Sequence, residues 1–100
     1  MLNSLPSALT EQIVAAAACC DASRLVLFGS RARGDHRPAS DVDLAVWGLD
    51  AAQAGKLRLL LEDLPTLLRF DVVAVAPDTS PTLLANIEQE GVTLYAADEV

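Results

Sequence analysis

Apolar positions along this chain come in short runs, and their spacing switches between helical and extended periods several times. Ser7–Cys20 is rich in alanine, a strong helix former, and predicts a first helix. Leu25, Val26, Leu27 and Phe28 are continuously apolar, which suits a strand over Arg24–Phe28 that is covered on both faces. Gly29–Ser40 holds two glycines, a proline and two serines, and reads as turn with at most one helical turn inside it. Val42–Trp47 alternates with Asp41 and Asp43 as a second strand, closed by Gly48. A helix follows over Ala51–Leu64, where Leu57, Leu60, Leu61 and Leu64 form one stripe, and Pro65 stops it. Arg69–Ala76 is the third predicted strand. Ser80 and Pro81 give an N-cap and a proline at the first position of the last helix, which Gly91 ends. Val92–Tyr95 is a short final strand, and all four aromatic residues fall in strands.

This order predicts an α/β (α+β) fold: a small mixed sheet of three to four strands flanked by helices, in one domain over residues 1–100. Charge narrows the choice of partner. Fourteen acids against seven bases give a net charge of −7, which argues against stable nucleic-acid binding. The bases are clustered, however: Arg31, Arg33 and Arg37 lie together beside His36, a local spot suited to a small anion. Apolar residues make up 52% of so short a chain, enough to leave some on the surface for a partner. Cys19 and Cys20 are adjacent and ill placed to pair with each other, and no metal-type Cys/His spacing occurs, so a reduced, cytoplasmic protein is expected. The longest apolar run, Ile13–Cys20, is far short of the ~20 residues that span a bilayer. No basic residue precedes it, so it does not read as a secretion signal and no membrane association is expected.

The candidate chemistry centres on Asp41-Val42-Asp43. Residues two apart on a strand share a face, so the two carboxylates project together while Val42, Leu44 and Val46 face the core. Paired hard oxygens are what Mg²⁺ takes, usually with substrate phosphates completing its shell. Taken alone, such a pair is most often just a solvated edge. Gly29-Ser30 ends the first strand, where glycine allows close backbone approach and serine offers an N–H and a hydroxyl to a phosphate. Arg31 and Arg33 are adjacent phosphate clamps, or else they fix the loop or pair with an acid. Asp71 lies in an otherwise apolar strand, where burial would demand a metal, Arg69 or another cation as partner.

The string Gly29-Ser30-Arg31-Ala32-Arg33-Gly34, ten residues between Ser30 and Asp41, then Ser40-Asp41-Val42-Asp43 resembles the polymerase β-like nucleotidyltransferase superfamily. Within it the chain looks like the minimal nucleotidyltransferase antitoxins of HEPN/MNT toxin–antitoxin pairs. The resemblance implies that Asp41 and Asp43 bind two Mg²⁺ ions and that Asp71 completes the metal site and helps activate the acceptor hydroxyl. It implies that Gly29 and Ser30 hold the β- and γ-phosphates of ATP, with Arg31 and Arg33 as further phosphate contacts. The implied function is adenylylation of a tyrosine on a HEPN ribonuclease toxin that docks in trans, giving a hetero-oligomer.

Length agrees with an acceptor supplied in trans, since about 100 residues barely build the metal platform. Two other readings remain open in the sequence: stoichiometric neutralisation of the toxin without catalysis, and transfer to a small-molecule hydroxyl. His36 reads as a solvated loop residue, Trp47 and Tyr95 as packing, and the two cysteines as small apolar helix residues.

Overall fold

The computed structural model describes residues 5–97. Its elements run α1 (Ser7–Cys19), β1 (Arg24–Phe28), α2 (Ser30–Arg33), β2 (Val42–Trp47), α3 (Ala51–Glu62), β3 (Phe70–Ala74), α4 (Pro81–Glu90) and β4 (Val92–Ala96). The four strands form one mixed sheet in the order β3-β2-β1-β4. β1 pairs antiparallel with β2 and with β4, whereas β2 and β3 run parallel, joined across α3.

Local chemistry explains most of the boundaries. Asp50 caps α3 by accepting from the Gln53 amide, and the Gln53 side chain accepts from the Asp50 amide in return. α3 ends at Glu62, two residues short of Leu64, because the residues before Pro65 are disfavoured in helical geometry. Ser80 caps α4 and Pro81 opens it, as the sequence suggests. β3 is shorter than the expected Arg69–Ala76, since only Phe70–Ala74 find register partners on β2.

Alternation in the central strands builds two cores. Leu25, Leu27, Val42, Leu44 and Val46 pack against Leu9, Ile13 and Ala17 of α1 and Leu57 and Leu61 of α3. Leu60 and Leu64 pack at the margin of that cluster, so the predicted leucine stripe is core. Val26, Phe28 and Ala45 face the other way and close on Ile87 of α4. β1 is thus covered on both faces, the arrangement its unbroken apolar run demands. Asp43 shares the α4 face with Ala45 by strand alternation, and this positions the site.

Candidate active site

β1 ends where the chain must turn sharply beneath β2. Gly29 makes that turn with φ 76° and ψ −156°, a conformation that essentially only glycine adopts. A side-chain carbon there would also overlap the Asp43 carboxylate. Two independent constraints therefore exclude other residues at this position. α2 begins at Ser30 and closes at Gly34, which adopts the left-handed conformation with φ 89°.

Asp43 lies in β2, directly opposite Asp71 in the parallel register with β3. Directly registered residues of neighbouring strands project from the same face. Asp41 precedes β2 by one residue, is exposed, and also acts on Asp43. Partial burial, then the negative charges of Asp71 and Asp41, push the Asp43 carboxyl above its ordinary range, while Arg33 pulls it down. Asp71 is itself exposed, so the costly burial expected from its apolar neighbours does not arise. Among the described residues Arg69 forms no ion pair with it.

Asp43 and Asp71 on adjacent strands, with Asp41 just before β2 and all three negative, offer the hard oxygen donors that a divalent cation takes. Among the described residues no group of three or more acid, histidine or cysteine side chains is gathered so as to hold a metal ion. The expected convergence of Asp41, Asp43 and Asp71 on one cation pocket is therefore not complete in the chain alone, and a Mg²⁺ ion, which takes one or two carboxylates, would need water and substrate phosphates for its remaining positions. A cleft of about 570 Å³ lined by Pro38, Ala39, Asp41, Leu67, Leu68 and Arg69 opens beside Asp41.

The two arginines separate in role. Arg31 is buried, with 6% of its surface exposed, and its guanidinium is spent on the loop. Nε donates to the Ser40 carbonyl at 3.1 Å, and Nη2 donates to the Pro38 carbonyl at 3.1 Å and the Arg37 carbonyl at 3.5 Å. Of the alternatives open in the sequence, the structure gives Arg31 the loop-fixing one, holding the segment that leads into Asp41. Arg33 is half-exposed and pairs with Asp35 at 3.1 Å and with Glu90 at 3.1 Å.

Glu90 is the residue that sequence reasoning missed. It closes α4, and its Oε1 accepts from the Gly29 amide at 3.0 Å. A faint signal was present: Glu88 and Glu90 sit in the last turn of a helix, where acids oppose the helix dipole and call for cationic partners elsewhere. Each has one, since Glu88 pairs with Arg24 at 3.1 Å and Glu90 with Arg33. Arg24 also lies over the Trp47 ring at 4.4 Å, which half-buries that tryptophan. His36 differs from expectation as well. It is half-buried rather than solvated, and its Nδ1 is enclosed with no hydrogen bond among the described residues.

The sequence profile of the family described as "Polymerase beta, Nucleotidyltransferase" matches residues 4–100. No curated protein matches the chain in sequence. Similar solved structures include a toxin–antitoxin with AMP-PNP, at 22% identity and TM-score 0.73 over 89% of this chain and 74% of that one. A mutant MntA–HpeT toxin–antitoxin matches at 20% identity and TM-score 0.73 over 89% and 74%. A tri-AMPylated Shewanella oneidensis HEPN toxin in complex with MNT antitoxin matches at 21% identity and TM-score 0.66 over 89% and 71%. At these identities the likeness is one of fold.

Proposed function

Because the chain belongs to the polymerase β nucleotidyltransferase family, we propose that it is a Mg²⁺-dependent adenylyltransferase acting as an antitoxin in the cytoplasm, modifying a tyrosine hydroxyl of a HEPN ribonuclease toxin docked in trans. The observation that carries this reading is the pairing of Asp43 with Asp71 across β2 and β3, with Asp41 one step before β2 and the Gly29 turn packed against Asp43. Support for the nucleotide and the partner comes from the similar folds, one with AMP-PNP and one in complex with a tri-AMPylated HEPN toxin.

The reaction forms a bond between the acceptor oxygen and the α-phosphorus of ATP and breaks the α–β phosphoanhydride. Pyrophosphate leaves and the acceptor hydroxyl gives up its proton. Asp41 and Asp43 would hold two Mg²⁺ ions and Asp71 would share one of them; such ions would supply charge neutralisation for the attacking and departing oxygens. Gly29 and Ser30 orient the β- and γ-phosphates through backbone amides and the serine hydroxyl. Asp71 is exposed on β3, and in this reading it would take up the proton of the incoming acceptor hydroxyl. Arg31 contributes by fixing the 37–40 loop, so that Asp41 enters β2 at a set height. Arg33 is the surface-facing cation of the site, and its Nη1 edge would be available to a phosphate once released from Glu90.

The test is transfer of label from alpha-labelled ATP to the purified HEPN partner with Mg²⁺, comparing wild type with the Asp41→Asn/Asp43→Asn variant. Labelled, inactivated toxin with wild type alone is the expected result. Equal neutralisation by both chains, with no label on the toxin, would replace catalysis by stoichiometric binding. Label appearing on a small hydroxyl compound, with none on the toxin, would move the acceptor to small molecules.

A further inference from the structure

The Gly29 amide is the group that the proposed reading assigns to a nucleotide phosphate, yet a carboxylate of the chain itself already sits on it. Glu90 Oε1 accepts from Gly29 N at 3.0 Å, and the same carboxylate accepts from Arg33 Nη1 at 3.1 and 3.2 Å. Only 22% of the Glu90 side chain is exposed. An oxygen on a glycine amide, backed by a guanidinium, is also what a bound phosphate would present.

We propose that Glu90 is an internal occupant of the triphosphate site, holding the Gly29 turn and Arg33 in a closed arrangement that nucleotide must displace. The inference rests on the reading of Gly29 and Ser30 as the phosphate-holding turn. It assigns α4 a second task besides covering Val26 and Phe28: its last residue competes with the substrate. Displacement frees the Gly29 amide and the Nη1 edge of the Arg33 guanidinium together, because a single carboxylate holds both, while Nε stays on Asp35. Glu90 is thus a residue that sets nucleotide affinity through Gly29 and Arg33, without itself touching the reacting atoms.

The experiment is calorimetry with Mg²⁺ and the α,β-methylene analogue of ATP, which cannot donate its nucleotidyl group. It compares the wild-type chain with Glu90→Ala, Glu90→Asp and Asp41→Asn/Asp43→Asn at one salt concentration. Glu90→Asp keeps the charge but is one methylene too short to span to Gly29 from α4. Both Glu90 variants are expected to bind about tenfold more tightly than wild type, as loss of one charge-assisted hydrogen bond to a competing group would give. Amide exchange at Gly29 in the nucleotide-free protein is expected to speed up in both variants and to slow again with nucleotide. Unchanged or weaker binding in both variants overturns the inference. So does tighter binding in Glu90→Ala with Glu90→Asp equal to wild type, which would reduce the effect to general charge repulsion. If Glu90→Ala does not fold, Glu90→Asp alone decides through the same two readouts. Absence of nucleotide binding in every chain would overturn the parent reading and this inference with it, a pattern distinct from wild-type binding that ignores Glu90.

Discussion

Gly29 and Asp43 interlock: the absence of a side chain on Gly29 is what gives the Asp43 carboxylate its place over the β1–α2 turn. Gly29→Ala must therefore disturb both the turn and the aspartate. The backbone strain alone is worth about 1–3 kcal/mol, and displacement of Asp43 adds to it. Gly34→Ala is the control, because that position is also left-handed but has nothing within 4 Å of an added carbon. It is expected to cost only about 1–2 kcal/mol and to spare nucleotide binding. Denaturant midpoints and calorimetry on the two variants check this ordering.

Asp43→Asn tests the electrostatic state of the site without any ligand. The Asp43 carboxyl lies above its ordinary range in the folded chain, by burial first and then by Asp71 and Asp41. Between the ordinary and the raised value, the folded chain binds more protons than the unfolded one, so stability falls as pH rises through that window. Above the window the penalty is complete. The asparagine variant escapes it and should melt about 2–5 °C above wild type at neutral pH. The gap should close as pH falls below the usual aspartate value of about 3.9. Mg²⁺ should also narrow it, by stabilising wild type selectively. A wild type that melts at or above the variant at neutral pH would contradict the crowded-carboxylate picture.

Arg31 predicts a positioning phenotype. Its truncation leaves the Ser40 and Pro38 carbonyls without their buried donor, a loss of about 1–3 kcal/mol. Arg31→Ala should lower the unfolding midpoint and also weaken Mg²⁺–nucleotide binding, because the loop into Asp41 loosens. Arg31→Lys should recover little of either, since an ammonium cannot span several carbonyls as a planar guanidinium does. Thermal melts paired with calorimetry would show whether the two losses travel together.

Asp71 separates binding from transfer. It is exposed and opposite Asp43 rather than beside the Gly29 turn. Asp71→Asn is expected to keep nucleotide affinity within a few-fold while slowing label transfer by about 10²–10⁴. Equal losses in affinity and rate would instead make Asp71 a plain nucleotide ligand.

What was legible in the sequence follows from what sequence periodicity can report. The turn at Gly29-Ser30, the strand carrying Asp43 and the capped start of α4 are local patterns that appear in the fold as expected, as does the leucine stripe of α3 as far as Leu61, with Leu64 lying beyond the helix end. Even the double cover of β1 was written in its unbroken apolar run. Periodicity says which face a residue takes but not which distant residue it will meet there. The pairing of Asp43 with Asp71 needed the β2–β3 register. The burial of Arg31 needed the 37–40 loop folded back over it. The seat of Glu90 needed α4 to end against the turn after β1, 61 residues away along the chain. Charge and hydrogen bonding act through space, so these three relationships came into being only when the strands were laid side by side.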